Sequence, residues 1–334
     1  GVALGVVLGS VMQLIVSAVG LVGLGFDYEF KLHWRNRGFR KVLSLLPARS
    51  VDQGMDYAVS LVEVNLASRL GDGVIRAYQQ ALTLHMMPIN LIGVAVSNAA
   101  FPQLTEHLGN NRQDLFQKDL RQLLRVIIWM ALPVSVITFF TRGYVVHFIR
   151  NTGDPMMAGI LGCLVVAILF RTIYHMAARA FYAQQDTKTP LNISFAAIGL
   201  NVVLAIVLSM VLKMGAYGLA WAQSTVAVIE VVILFVVLEK RIPHLFDASF
   251  VAAVLRMIVA STVAGIVCYL MLQVLPFRES DSSFFSAFPK FMIIAGVSFL
   301  AYGLMSRMLK LPEVEPIIRQ VNKFLFVRLD GKRR

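Results

Sequence analysis

The chain has 334 residues, 57% of them hydrophobic and only 15% charged, with a mean hydropathy of +0.71. Soluble globular domains run about 45–50% apolar and about 25% charged, so an ordinary cytosolic enzyme, a disordered chain and a collagen-like chain are excluded and a polytopic membrane protein remains. The net charge of +12 would suggest nucleic acid in a soluble protein; between apolar segments it reads as the Lys and Arg excess of cytoplasmic loops, and no nucleic-acid partner is expected.

A spanning helix needs about 20 mostly apolar residues. In chain order the pattern predicts nine: Ala3 to about Gly25, about Val42 to Leu70, Val74 to Leu104, Leu120 to Phe140, Met157 to Tyr182, Pro190 to Leu212, Ala216 to Leu238, Phe250 to Leu275 and Phe285 to Met308. Pro88 and Pro133 fall inside spans and remove helix hydrogen bonds there. Gly71-Asp72-Gly73 and Gln184 to Pro190 read as polar turns. Asn110 to Arg125 and Pro312 to Phe326 are amphipathic and read as helices at the membrane surface, with docking against the protein as the alternative for the second. The sequence opens without Met in an apolar run, so a fragment lacking an N-terminal part is expected.

Basic residues favour one side of this map. Lys31, Arg35, Arg37, Arg40, Lys41, Arg112, Lys118, Arg121, Arg125, Lys188, Lys240, Arg241 and the C-terminal cluster fall on one side. Arg69, Arg76, Arg142, Arg150, Lys213, Arg278 and Lys290 fall on the other. The bias predicts an outside N-terminus and a cytoplasmic C-terminus. Cys163 and Cys268 both lie in apolar runs, which leaves no disulfide framework and no CxxC metal site. HExxH, Walker-type and GxSxG motifs are absent from the sequence, and no enzyme is expected.

Charged groups at span centres cost about 2.5–3.5 kcal/mol each on insertion scales and usually face a wet cavity or protein. Arg49, Asp56 and Glu63 recur every seven residues on the second span, with Asp52 beside them. Arg76, Gln80 and Thr83 share a face of the third, with Gln79 and His85 off it. Arg171, His175 and Arg179 recur every four residues on the fifth. Turning all three stripes to one hydrated cavity is the economical arrangement. Two blander readings stand beside it: Arg49, Arg69, Arg76 and Arg179 near span ends would snorkel, and Glu63 would pair with Arg69 or Arg76. Arg256, two turns into the eighth span, is read as contacting lipid phosphates.

The stretch Arg76-Ala77-Tyr78-Gln79-Gln80-Ala81-Leu82, then Pro88-Ile89-Asn90-Leu91-Ile92-Gly93, ending Phe101-Pro102-Gln103-Leu104, resembles a span signature of MurJ/MviN-type lipid II flippases of the MOP transporter superfamily. Ala180-Phe181-Tyr182-Ala183 followed by Asp186-Thr187-Lys188-Thr189-Pro190 resembles a second, more specific signature. The resemblance implies an all-α polytopic fold of two six-helix lobes around a cavity plus two extra helices. Residues 1–28 would then be the last helix of a truncated first lobe. Residues 29–245 would be the second lobe, 246–311 the extra pair, and 312–334 an amphipathic helix with a basic tail. Where many members carry an Asp-Arg pair with a Glu one turn later, this chain has Leu82, Thr83 and Met86.

The function implied is flipping of the undecaprenyl-pyrophosphate-linked peptidoglycan precursor across the bacterial cytoplasmic membrane by alternating access. Arg49, Arg76, Gln80, Thr83, Arg171 and Arg179 are the expected anion contacts. Asp56, Glu63, His175, Asn201 and Thr225 are the expected coupling or ion residues, using a proton or monovalent cation and no other cofactor. Expected partners are the lipid-linked precursor, membrane lipids, the missing lobe and cell-wall synthesis proteins. The alternatives are a same-fold transporter of another lipid-linked oligosaccharide or of cationic drugs, and an envelope-assembly scaffold. An exporter of cations would require an acidic cavity, and a glycosyltransferase would require a DxD-type loop.

Overall fold

The computed structural model describes residues 2–19, 39–40, 59–71, 73–150, 154–277 and 284–315, and divides the chain into two units at residues 49 and 50. Arg49, Asp52 and Asp56 lie outside the described residues. In the first unit, α1 (Val2–Val19) is an apolar helix of 18 residues.

In the second unit the described elements are helices α2 (Val59–Ser68), α3 (Val74–Gly109), α4 (Gln113–Arg150), α5 (Pro155–Ala183), α6 (Lys188–Val211), α7 (Ala216–Arg241), α8 (Ala248–Val274) and α9 (Phe284–Met308), with a short 3-10 turn at Pro312–Val314. Seven of them, α3 to α9, are long and apolar enough to cross a membrane, and the protein is a multi-pass membrane protein. Starts are set by local chemistry. The Asp154 carboxylate accepts from the amides of Met156 and Met157 with Pro155 in the first turn, and Asp247 accepts from Phe250. Gly73 and Gly215 enter α3 and α7 at φ +82° and +61°, where other residues are strained.

The surface helix expected over Asn110 to Arg125 is instead the opening of α4, which runs unbroken through Pro133 to Arg150. Phe116, Leu120 and Leu124 on this stretch are buried in the core, so its apolar face docks on protein. Pro88 has the predicted local effect. Lacking an N–H, it is followed by a π-helical segment, Ile89–Val94, in which Ala95 N–H reaches the carbonyl of Asn90. Residues 312–315 also dock, with Val314 and Glu313 buried, whereas the rest of the expected C-terminal helix lies outside the described residues.

Helix α5 is the hub, packed against α3, α4 and α7; α6 lies on α7, and α8 and α9 pack on α4 and on each other. Close approach at two crossings needs glycine. A Cβ on Gly93 would stand 3.0 Å from the Thr172 backbone of α5, and one on Gly218 would stand 2.6 Å from the Leu208 carbonyl carbon.

One end of the bundle is tied by arginines. Arg121 of α4 donates to Asp247 (3.0 Å) and to the carbonyls of Leu245 and His244, joining α4 to the α7–α8 link. Arg125 pairs with buried Glu313. Arg241 of α7 pairs with Asp186 (2.6 Å) and lies over the Phe181 ring. Asp186 also caps α6, accepting from the amides of Lys188 and Thr189 at 3.0 Å and from the Thr189 hydroxyl at 2.6 Å. Burial of its carboxyl acts upward, but the Thr189 hydroxyl, the Thr189 amide and Arg241 together pull its pKa down to about 2.

Candidate functional site

Two polar systems lie within the membrane-length helices. The first is a stripe on the exposed face of α3. Arg76, Gln79, Thr83, Asn90 and Asn98 are all exposed and return to one side of the helix by its 3.6-residue period. Gln79, which the spacing set off this face, is on it. Gln80 is half-buried, and its Oε1 is enclosed without a hydrogen-bond partner. The Thr83 hydroxyl donates back to the Gln79 carbonyl at 2.9 Å. Arg179 reaches the same face from α5: its guanidinium donates to Asn98 Oδ1 and lies over the rings of Phe101 and Tyr182. Exposed Met86, Met87 and Leu91 interleave with these polar groups.

The second system is internal and holds Arg171 of the fifth-span stripe, whereas Arg179 of the same stripe reaches α3; of the second-span stripe only Glu63 lies among the described residues. Arg171 does not join the α3 face. Its guanidinium pairs with Glu230 of α7 at 2.9 Å, and the Glu230 carboxylate is almost fully buried. Glu230 also accepts from Ser194 of α6 at 2.9 Å, and Ser194 in turn meets the Tyr174 hydroxyl at 2.9 Å. The Arg171 charge is thus already balanced, at a junction of α5, α6 and α7. His175, half-buried, sits one turn from each flanking arginine, edge-on to Tyr174 at 5.8 Å and against the Gly93 crossing.

Glu63 of α2 is buried and has no ion pair among the described residues; it is not paired with Arg69 or Arg76. Its two oxygens accept from the Tyr78 hydroxyl of α3 (3.0 Å) and the Gln223 amide of α7 (2.8 Å). His85 is buried and donates from Nδ1 to the Leu82 carbonyl at 2.6 Å, a packing role. Arg256 is exposed on α8.

A cation site is only partly supplied. Asn201 of α6 is buried with Oδ1 unpartnered, Thr225 of α7 is exposed, and Asp56 lies outside the described residues. The described residues hold no cluster of three or more His, Cys, Asp or Glu placed to bind a metal ion. Gln79, Asn90, Asn98, Tyr78, Gln223, Ser194 and Glu230 were not singled out from the sequence as site residues. The heptad between Gln223 and Glu230 was the available signal, since it puts both on one face of α7.

The family profile described as "Lipid II flippase MurJ" matches residues 1–287. A probable lipid II flippase MurJ of Thermotoga maritima is 25% identical over 298 residues, 87% of this chain and 58% of that protein. The lipid II flippase MurJ of Burkholderia cenocepacia is 26% identical over 247 residues, 71% of this chain and 47% of that protein. The chain spans about half the length of the curated relatives it matches. Among solved structures, a lipid II flippase MurJ in an inward closed conformation aligns with TM-score 0.66 at 22% identity, covering 89% of this chain and 59% of that one. An outward-facing MATE-family multidrug transporter of the MOP superfamily aligns with TM-score 0.54 at 11% identity, over 80% of this chain and 64% of that one. These likenesses extend the fold to the wider superfamily, and the profile match, which covers most of the chain, shows that it belongs to the lipid II flippase MurJ family.

Proposed function

We propose that this chain is the second lobe of a flippase, with two further helices, and moves lipid II from the inner to the outer leaflet of the bacterial cytoplasmic membrane. Residues 29–245 form the lobe, 246–311 the added pair, 1–28 the end of the first lobe, and 312–334 a cytoplasmic tail. The observation that carries the reading is the exposed polar stripe on α3, set among membrane-length helices in a member of this family. A pyrophosphate headgroup cannot cross hydrocarbon, and it needs donors and positive charge along its path.

Arg76 and Arg179 supply the charge; Gln79, Gln80, Thr83, Asn90 and Asn98 supply hydrogen bonds. With Thr83 where the family resemblance implies an arginine, Arg76 takes over the anion contact two turns away. Arg171, neutralised by Glu230, holds the helices on which that path is built. Arg49, outside the described residues, keeps the anion-contact role that the sequence suggests for it. Arg256 meets lipid headgroups. The polyprenyl tail stays in lipid beside α8 and α9. Rocking of the two lobes exposes the path to each side in turn, driven by a proton or monovalent cation at Glu63, His175, Asp56, Asn201 or Thr225. The activity is transport without chemical conversion, and cell-wall synthesis proteins are its functional neighbours.

Photo-crosslinking tests the path. A crosslinker at position 79, 83 or 90 of the full-length protein in membranes is expected to capture the pyrophosphate-linked precursor. One at exposed Phe195 of α6 or Val236 of α7 is expected to capture phospholipid. Equal precursor capture at all five positions would contradict the reading.

A further inference from the structure

We infer that Glu63 is a proton-binding group whose charge state decides whether α2 is tied to α3 and α7. The inference rests on the transport reading and narrows its coupling residues to this carboxyl. Glu63 is buried in a largely apolar surround: Leu66, Ala67, Ala77 and Ala81 of its hairpin are all buried with it. Both carboxyl oxygens accept hydrogen bonds, and both donors are neutral, the Tyr78 hydroxyl at 3.0 Å and the Gln223 amide at 2.8 Å. Among the described residues few charged groups face it. Arg171 of α5 acts on it electrostatically without touching it, Tyr78 is the titratable group from α3, α7 brings only Gln223, and Arg69 of its own helix is exposed. A carboxylate held by neutral donors alone has no close counter-charge against the low dielectric around it.

The position suits a group that exchanges protons with one side of the membrane. Glu63 is eight residues from Gly71 at the exposed α2–α3 turn, roughly 12 Å along a helix. Tyr78 lies one turn into α3, and Gln223 two turns into α7, from the same end. When a proton from water on that side forms an O–H bond with one carboxyl oxygen, no other covalent bond changes. That oxygen becomes an O–H donor and only a weak acceptor, so the group facing it, Tyr78 or Gln223, turns away or presents its own oxygen as acceptor. One proton therefore reverses or breaks one of the two hydrogen bonds joining the three helices and weakens the other, which then runs to a neutral carbonyl oxygen. A change at α2 follows from a local chemical event, as a two-state coupling element requires.

The test is infrared difference spectroscopy on the purified full-length protein, stepping between about pH 5 and about pH 8 and following the carbonyl band of protonated carboxyl groups. The wild type is expected to show a titrating band that is lost in Glu63→Gln. Tyr78→Phe, which removes one donor and keeps the carboxyl, is expected to shift the midpoint of the band. In cells, the dependence of flippase complementation on external pH is expected to flatten in Glu63→Gln. A band unchanged in Glu63→Gln overturns the inference. Should Glu63→Gln fail to insert, the Tyr78→Phe spectrum decides: a shifted midpoint supports it and an unshifted one overturns it. The spectra read the proton itself, so they answer even if complementation fails and the transport reading falls.

Discussion

Removing Arg171 and removing Glu230 should cost different amounts, and the difference separates a structural arginine from a substrate contact. Their side chains are 29% and 2% exposed and 2.9 Å apart. Arg171→Ala leaves a buried carboxylate with the Ser194 hydroxyl as its remaining hydrogen-bond donor among the described residues, a loss of about 3–5 kcal/mol. Glu230→Ala leaves a guanidinium that reaches water and keeps the Tyr174 ring at 5.9 Å, a smaller loss of about 1–3 kcal/mol. The double Arg171→Ala, Glu230→Ala replacement removes both charges and should recover much of the larger loss, giving a coupling of about 2 kcal/mol or more. Unfolding in graded SDS–detergent mixtures, followed by thiol labelling of free Cys163 and buried Cys268, gives the three values. Losses below about 0.5 kcal/mol for both single variants, with flipping abolished by Arg171→Ala, would refute the pairing argument and return Arg171 to the substrate.

Other predictions follow from the same contacts. Asp186→Ala removes a helix cap and the Arg241 pair, for about 1–2 kcal/mol. Because the folded pKa of Asp186, about 2, lies below its ordinary 3.8, its contribution is present above about pH 4 and is lost as pH falls toward 2. Wild type should therefore lose stability relative to Asp186→Ala over that window, as a pH series of melting curves would show. A glycine series should rank by backbone clearance: Gly218→Ala worst, Gly93→Ala intermediate at about 1–3 kcal/mol, and Gly199→Ala, which meets nothing within 4 Å, near zero. Thermal unfolding of the three variants checks the order.

The spans were legible because a membrane helix must be apolar along its whole length, and the observed ends of α5 to α9 fall within a few residues of those read from hydropathy. The opening of α4 was not legible. Asp114, Lys118, Arg121 and Arg125 lower its hydropathy, while the docked face of Phe116, Leu120 and Leu124 shows only against its neighbours. The site was half legible. Helical spacing puts Arg76 and Thr83 on one face, and both are exposed on α3, but the partners of Arg171 and Glu63 on α7 lie 59 and 160 residues away along the chain. The Asp186-Thr187-Lys188-Thr189-Pro190 signature, matched first by resemblance, has a physical basis in the cap of α6 and its Arg241 clamp.

The most direct measurement is complementation of cells depleted of their own lipid II flippase by this chain joined to a relative's first lobe, at equal membrane levels. Growth is expected with the parent fusion and with Arg256→Ala, and loss of growth with Arg76→Ala and with Arg76→Ala, Arg179→Ala together. No growth from well-inserted parent protein would contradict the lipid II reading, and full growth from the double variant would keep the function and discard the α3 path.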